Sequence, residues 1–205
     1  MRILNLYCSI GGNRKLWGDE HDITAVEFNK DIAGVYKDLF PNDTVIIGDA
    51  HQYLLDNYKE FDFIWSSPPC PTHSCLVFSN EKIFYDRNDM KYPDMKLYQE
   101  ILLLKHFAPS STKWLIENVK PYYEPLISGR LLQRHLFWSN FNIFELKDHD
   151  ERKHNEIGGN SVVYGFDLNK YKISNKRQIL RNMVNPSIGK HLLECSQEDQ
   201  QQVLF

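Results

Sequence analysis

Phe61-Asp-Phe-Ile-Trp-Ser-Ser-Pro-Pro-Cys-Pro-Thr-His-Ser74 is the stretch from which the fold can be read. The apolar run Phe61 to Trp65 has the length and composition of a buried strand. It stops at two serines, and Pro68 and Pro69 then fix φ and remove two N–H donors, so a strand ladder cannot continue. Cys70 therefore stands on a stiff turn just past the carboxyl end of a strand, where open α/β sheets bind their ligands. A thiol there can act as a nucleophile once deprotonated, but an ordinary cysteine has a pKa of about 8.5 and needs electrostatic help. An isolated cysteine in this setting is better read as a small buried residue, since free cysteine is among the most buried types. Cys70, His73 and Cys75 lie close together, yet three soft ligands at this spacing match no zinc pattern and no fourth is evident. The rest of the chain decides between these readings.

Working outward, strands and helices alternate. Arg2 to Cys8 reads as a strand, followed by Ser9-Ile-Gly-Gly12 and a short helical stretch through Trp17. Asp22 to Glu27 is a second strand, and Asn29 can cap a helix running through Phe40 with Ile32, Val35, Tyr36 and Leu39 on one face. Thr44 to Ile47 is a third strand ending at Gly48-Asp49, and a helix over 50–58 leads to the strand before Cys70. Asp94 to Phe107 is a helix with Leu97, Ile101 and Leu104 on one side. Lys113 to Glu117 is a strand stopped by Pro121, and Leu131 to Asn140 is a further apolar segment containing Arg134. Ser174 to Leu193 holds one or two helices, and Ser196 to Gln202 is a surface helix or a frayed end. This alternation implies a mostly parallel sheet with helices on both faces. Residues 71–93 interrupt it with aromatics (Phe78, Phe84, Tyr85, Tyr92) among Lys82, Arg87 and Lys91, and a loop that long inside a domain is usually functional or mobile.

Composition narrows the function classes. A chain of 205 residues with 42% hydrophobic and 25% charged residues is an ordinary globular domain. No apolar run reaches the roughly 20 residues that span a bilayer, and the N-terminus enters a strand directly without a signal-peptide layout. Four cysteines, at 8, 70, 75 and 195, make no disulfide framework and suit a reducing cytoplasm. The net charge of −3 supplies no basic field over the whole protein. Residues 139–193 are locally basic, with nine Lys or Arg against six Asp or Glu.

The strand ends, taken together, carry the chemistry. The first runs into Gly11-Gly12 before a helix, which suits close approach of a cofactor to backbone N–H groups. The second ends in Glu27, able to hold both hydroxyls of a ribose. The third ends in Asp49, able to accept from an adenine amino group. The fourth carries Cys70 and the fifth Glu117-Asn118. Singly, each has a plain alternative: a turn for the glycines, a solvated strand terminus for Glu27. A parallel sheet brings all five ends to one edge. A nicotinamide enzyme would want the same glycines and carboxylate, but Gly-Gly is not Gly-x-Gly-x-x-Gly and Pro-Pro-Cys would have no purpose there.

These motifs resemble those of the DNA cytosine-5 methyltransferases that use S-adenosylmethionine. Asn5-Leu-Tyr-Cys-Ser-Ile-Gly-Gly12 is similar to the family's Asp-Leu-Phe-x-Gly-x-Gly-Gly. Ser67-Pro-Pro-Cys-Pro-x-x-Ser74 is similar to its Pro-Cys-Gln loop, and Glu117-Asn-Val119 is its Glu-Asn-Val motif intact. Arg134 falls on the last arginine of Gln-x-Arg-x-Arg, whose first arginine is missing or supplied from a shifted register by Arg130. Gln178 to Pro186 resembles Gln-x-x-Gly-Asn-x-Val-Pro-Pro through Asn182, Val184 and Pro186. The matches run in the family's order from residue 5 to 186. Asn5, Ser9, Pro71 and Arg181 depart from it, replacing Asp, Gly, Gln and Gly.

The resemblance implies a Rossmann-like α/β methyltransferase fold and a set of roles. Cys70 would add to carbon 6 of cytosine, activating carbon 5 toward the sulfonium methyl. Glu117, protonated, would donate at ring nitrogen 3; Asn118 would hold the Cys70 loop; Arg134 would bind the base's carbonyl oxygen. S-adenosylmethionine would be held by Tyr7, Ser9, Gly11, Gly12, Glu27, Phe28, Asp49, Ala50, Pro69 and Asn182. Tyr7 or Phe28 could stack on adenine, although Tyr7 reads equally as a core aromatic. No metal is implied. The base would have to leave the stack, because the thiol approaches its face. The expected partner is double-stranded DNA, with a homodimer or a second protein supplying further recognition. RNA (tRNA) cytosine and a non-catalytic donor-binding role remain open alternatives. The expected organisation is a catalytic and donor-binding core over 1–138, a reduced target-recognition region over 139–176, and a segment over 177–205 that returns to the core.

Overall fold

A computed structural model describes residues 1–74, 92–146 and 162–202. Its centre is a seven-stranded sheet formed by β1 (Arg2–Leu6), β2 (Asp22–Glu27), β3 (Thr44–Ile47), β4 (Phe63–Ser66), β5 (Lys113–Val119), β6 (Arg130–Leu132) and β7 (His135–Ser139). The spatial order is β3-β2-β1-β4-β5-β7-β6, with β1 to β5 parallel and β7 antiparallel to both β5 and β6. The chain moves outward from β1 through β2 to β3, then returns to the other side of β1 for β4. The carboxyl ends of β1 and β4 therefore part at a topological switch point, where such sheets open a crevice.

The strands are apolar on both faces, as expected of parallel strands covered on both sides. On one face Leu4, Leu6, Ile64, Trp114 and Ile116 pack against α2 (Ala50–Asn57) and α3 (Lys96–Phe107). On the other, Ile3, Ile23, Phe63, Trp65 and Leu115 meet Trp17 and α5 (Pro186–Gln202). Tyr36 of α1 (Lys30–Leu39) packs with Ala25 and Cys8 on that second face. Asn29 caps α1, accepting from the amides of Asp31 and Ile32 as its position predicts.

Several boundaries differ from the sequence expectation. The first strand ends at Leu6 because Tyr7 turns into the left-handed region at φ 54°. The stretch before Trp17 is a single 3-10 turn, Arg14–Leu16, and the strand before the prolines begins at Phe63 rather than Phe61. The apolar segment 131–140 is half of a tight hairpin: Leu132 pairs with His135, leaving Gln133 and Arg134 as its tip, with Gln133 at φ 53°. The C-terminal region forms two helices, α4 (Lys176–Asn182) and α5, and Ser196 in the expected surface tail is buried. A small hairpin of β8 (Val162–Val163) and β9 (Phe166–Asp167) precedes them. Most of the loop 71–93 and the polar stretch 145–160 lie outside the described residues. No described helix is long and apolar enough to cross a membrane.

The C-terminal helices are seated on the loop after β1. A Cβ on Gly12 would come within 2.0 Å of the Met183 side chain and 2.6 Å of the Val184 carbonyl oxygen. Gly189 of α5 comes equally close to the backbone of Asn13, and its carbonyl accepts from the Trp17 indole at 3.0 Å. Beneath the same loop a buried pair, Arg14 and Asp43, is joined through both carboxylate oxygens at 2.9 and 3.0 Å, with the Tyr36 hydroxyl donating to Asp43 at 2.8 Å.

Candidate active site

A cavity of about 590 Å³ opens where β1 and β4 part, within the range that holds a nucleotide-sized ligand. Thirteen of the fourteen residues expected from the sequence line it: Cys70, Glu117, Asn118 and Arg134 on one side, and Tyr7, Ser9, Gly12, Glu27, Phe28, Asp49, Ala50, Pro69 and Asn182 on the other. Gly11 does not. Its φ of +78° makes it a turn residue, and a side chain there would meet the Phe40 and Tyr36 rings, so its glycine serves the loop's shape and packing. Arg130 is also absent; it borders a separate groove between α3 and the β6–β7 hairpin.

On the Cys70 side the loop is held at several points. The Asn118 side-chain amide donates to the Pro68 carbonyl at 3.0 Å, while its own oxygen accepts from the Val119 amide. The amides of His73 and Ser74 both donate to the Cys70 carbonyl at 3.0 Å. His73 is buried and bonded through Nδ1 to the Tyr123 hydroxyl at 2.6 Å, which pins the turn to the segment after β5. Burial raises the Cys70 thiol above its ordinary pKa, the Glu117 carboxyl adds to the rise, and Arg134 and Arg181 oppose it. Glu117 is buried near the end of β5, and loss of solvent lifts its pKa to about 7 against the opposing pull of Ser67 and Arg134.

His135 lies 3.5 Å from Glu117 through Nε2. Burial, reinforced by Arg134, drives this imidazole down to about 3, so it is neutral near pH 7. Because the imidazole is neutral there, the contact with Glu117 is no ion pair, whichever form the carboxyl takes. Arg134, at the hairpin tip, donates to the Arg181 carbonyl, which ties the hairpin to the end of α4.

On the other side the carboxylates sit among backbone amides. Glu27 accepts from Ser9 N at 3.0 Å through one oxygen and from Asn29 N at 2.9 Å through the other. Each oxygen keeps a second lone pair for a ligand hydroxyl. Asp49 is the N-cap of α2, accepting from the amides of His51 and Gln52 at 2.9 and 3.3 Å. Burial pushes its carboxyl up, but those amides and the Lys96 ammonium prevail and leave it below the ordinary carboxylate range. One Asp49 oxygen is thus committed to the helix, and only the other, 3.8 Å from Lys96 Nζ, faces outward. Phe28 is 80% exposed on the cavity wall. Tyr7 is partly buried, with its hydroxyl donating to Glu100 at 2.7 Å, so it joins the core and the cavity at once.

The sequence reading passed over His135, Asn13, Lys96 and Glu100. His135 follows Arg134 directly, and two polar residues at a strand start were a usable signal. Glu100 falls on the same helical face as Leu97, Ile101 and Leu104, a carboxylate in an apolar stripe.

The strand order and the crevice define the class of protein: a Rossmann-like α/β fold with its site at the switch point of the sheet. The model of the C-5 cytosine-specific DNA methylases matches residues 1–124, more than half of the 205-residue chain. The chain belongs to that family, whose chemistry is methyl transfer to cytosine. No curated protein matches it. Among solved structures, Spodoptera frugiperda DNMT2, in a mutant form, is 30% identical, over 58% of this chain and 35% of that one, at a TM-score of 0.38. A hypothetical protein of Thermus thermophilus is 14% identical, over 67% and 73%, at 0.46. A SAM-dependent methyltransferase from Agrobacterium tumefaciens is 12% identical, over 60% and 40%, at 0.41.

Proposed function

We propose that this protein transfers a methyl group from S-adenosylmethionine to carbon 5 of cytosine in DNA, through a covalent adduct of Cys70 with a base swung out of the helix. The observation that carries this reading is that Cys70, Glu117 and Arg134 share one cavity with Glu27, Phe28 and Asp49. A nucleophile, an acid and a cation thus face a set of groups suited to a nucleoside.

The donor suits the residues present. Glu27 offers free lone pairs for paired hydroxyls, Asp49 offers an outward oxygen for an amine, and Phe28 offers a bare aromatic face. When bound, the donor would supply an electrophilic methyl group. The chain's own residues do the rest. Cys70, its thiol proton passed to water, bonds as the thiolate to ring carbon 6 while the carbon 5–carbon 6 double bond opens and gives carbon 5 the electron density needed for attack. Glu117, with a pKa near 7, holds a proton that it can donate at ring nitrogen 3 as the ring becomes anionic. Burial is the main reason the thiol stays protonated; a neutral Glu117 removes the lesser, repulsive contribution, and Arg134 and Arg181 favour the thiolate. Transfer of the carbon-5 proton to water, return of the nitrogen-3 proton to Glu117 and departure of the Cys70 sulfur as a thiolate restore the aromatic ring. Asn118 keeps the Pro68 carbonyl, and hence the Cys70 turn, in place throughout.

Residues 139–176 act as a reduced target-recognition region and 177–205 as a segment completing the core. The docking of Met183 and Val184 against Gly12 supports the second assignment. With few basic groups to meet phosphates, recognition is short, on the order of 2–4 base pairs, unless a second copy or partner adds to it. The test is incubation with tritiated S-adenosylmethionine and either mixed duplex DNA or tRNA, followed by base analysis. Label in 5-methylcytosine of DNA is expected. Label in tRNA alone would move the substrate to RNA, and label in neither would contradict the activity.

A further inference from the structure

Glu100 stands in the middle of α3 with 0% of its surface exposed. Its Oε1 accepts from the Tyr7 hydroxyl at 2.7 Å and lies 2.9 Å from His51 Nδ1, and its Oε2 accepts from the Ser66 hydroxyl at 2.6 Å. These partners come from the loop after β1, the first turn of α2 and the last residue of β4. One buried carboxyl thus joins the ends of both strands that flank the switch point to two helices. A carboxylate without solvent is costly unless it is fully bonded, and an apolar side chain in a well-packed core is often at least as stable. Leu97, Ile101 and Leu104 fill the same face of α3 in that way. A polar hub at this one position therefore suits a task beyond packing.

Its partners indicate the task. Tyr7 lines the cavity directly, and its backbone is in the left-handed region, at φ 54°. That conformation costs a non-glycine residue about 1 kcal/mol and persists where its surroundings enforce it. The bond to Glu100 is such an enforcement. His51 follows Asp49 and Ala50, both on the cavity wall, and Ser66 precedes Ser67, Pro68 and Pro69, also on the wall. We propose that Glu100 is a positioning residue of the methyl-donor pocket, which sets the spacing between the loop after β1 and the first turn of α2 through Tyr7 and His51. It touches no reacting atom. The assignment rests on the reading of this cavity as the S-adenosylmethionine site.

The test compares the parent chain with Tyr7→Phe, Glu100→Gln, Glu100→Ala and the double variant Tyr7→Phe/Glu100→Gln. Calorimetry gives the affinity for S-adenosylmethionine, and thermal unfolding gives stability. Tyr7→Phe removes one hydroxyl and Glu100→Gln keeps the shape, so both report even where Glu100→Ala fails to fold. The expected result is a loss of affinity of about tenfold for Tyr7→Phe. Glu100→Gln loses a similar amount, since an amide N–H replaces one acceptor. The double variant should be no weaker than the poorer single one, because both changes cut the same link. In turnover, KM for the donor should rise while KM for DNA stays put. Variants that unfold at lower temperature but bind the donor as the parent does would overturn the proposal and leave Glu100 a structural hub. A parent chain that binds no S-adenosylmethionine would instead remove the reading of the cavity on which the proposal stands.

Discussion

The two walls of the cavity use the same side-chain chemistry to opposite ends. On the wall formed by the ends of β1, β2 and β3, Glu27 and Asp49 each accept from two backbone amides, and for Asp49 these amides help to hold the carboxyl below the ordinary range. On the wall formed by β4, β5 and the β6–β7 hairpin, burial lifts Glu117 to about 7 against the weaker pull of Ser67 and Arg134. The first environment makes fixed acceptors suited to hydroxyls and amines. The second makes a proton donor at neutral pH. Residue type alone does not decide between holding a ligand and reacting with it; burial from water, set against the donors and charges around the carboxyl, does.

The largest effect that can break this contrast is on turnover. Glu117→Ala should lower kcat by 10²- to 10⁴-fold, the range typical of a lost general acid, while donor affinity stays within a few-fold of the parent. In the parent, kcat should fall as pH rises through about 7, where Glu117 gives up its proton. Steady-state rates across pH 5–9 check both points, and a flat profile would deny Glu117 the acid's role.

A smaller effect sharpens the contrast through stability. Between pH 4.5 and about 7 the folded chain keeps a proton on Glu117 that the unfolded chain releases. That contribution to stability is full below 4.5 and is lost as pH rises through about 7. Glu117→Gln has no such loss, so its stability relative to the parent should grow across this window, by on the order of 3 kcal/mol. His135 works in the other direction, its stabilising contribution being full above 6.5 and lost as pH falls through about 3, and it is common to both proteins. Urea unfolding at a series of pH values reads the difference.

On the opposite wall, Glu27→Ala and Asp49→Ala should each weaken S-adenosylmethionine binding roughly 10- to 100-fold, by loss of charge-assisted hydrogen bonds. They should differ in stability. Asp49→Ala also uncaps α2, at about 1 kcal/mol. Calorimetry with both variants separates binding from capping; unchanged affinity in Asp49→Ala would leave it the cap alone.

The smallest effect concerns Ser9. The family pattern has glycine there, and the reason is the backbone, since Ser9 sits at φ 47°. Ser9→Gly should remove a steric cost of about 1 kcal/mol while adding flexibility to the unfolded chain. The net gain expected is about 0.5 kcal/mol, measurable as a small rise in Tm.

The fold was legible in the sequence wherever local chemistry acts within one element. The strand broken by Pro68 and Pro69, the Asn29 cap and the five strand ends all carry their signal in adjacent residues, and the cavity gathers those ends. What was less legible depends on contacts distant in sequence or on backbone angles. The β6–β7 hairpin turns at Gln133-Arg134, which lack the glycine or asparagine that marks a tight turn. Gly11 reads as a ligand contact until Phe40 and Tyr36 are seen against it. Asp49 stands where an N-cap belongs, one residue before a helix, and a ligand role was visible only at the cost of overlooking the cap. Glu100 takes its meaning from Tyr7, His51 and Ser66, partners 34 to 93 residues away.

The central claim, that Cys70 is the nucleophile of the reactive wall, is tested most directly with duplex DNA containing 5-fluorocytosine in the presence of S-adenosylmethionine. Fluorine at carbon 5 cannot leave as a proton, so the adduct should persist as a complex that survives denaturant. The parent chain should form it, and Cys70→Ala should form none while binding the donor as the parent does. A complex that survives Cys70→Ala, or one that peptide mapping places on Cys75, would contradict the assignment.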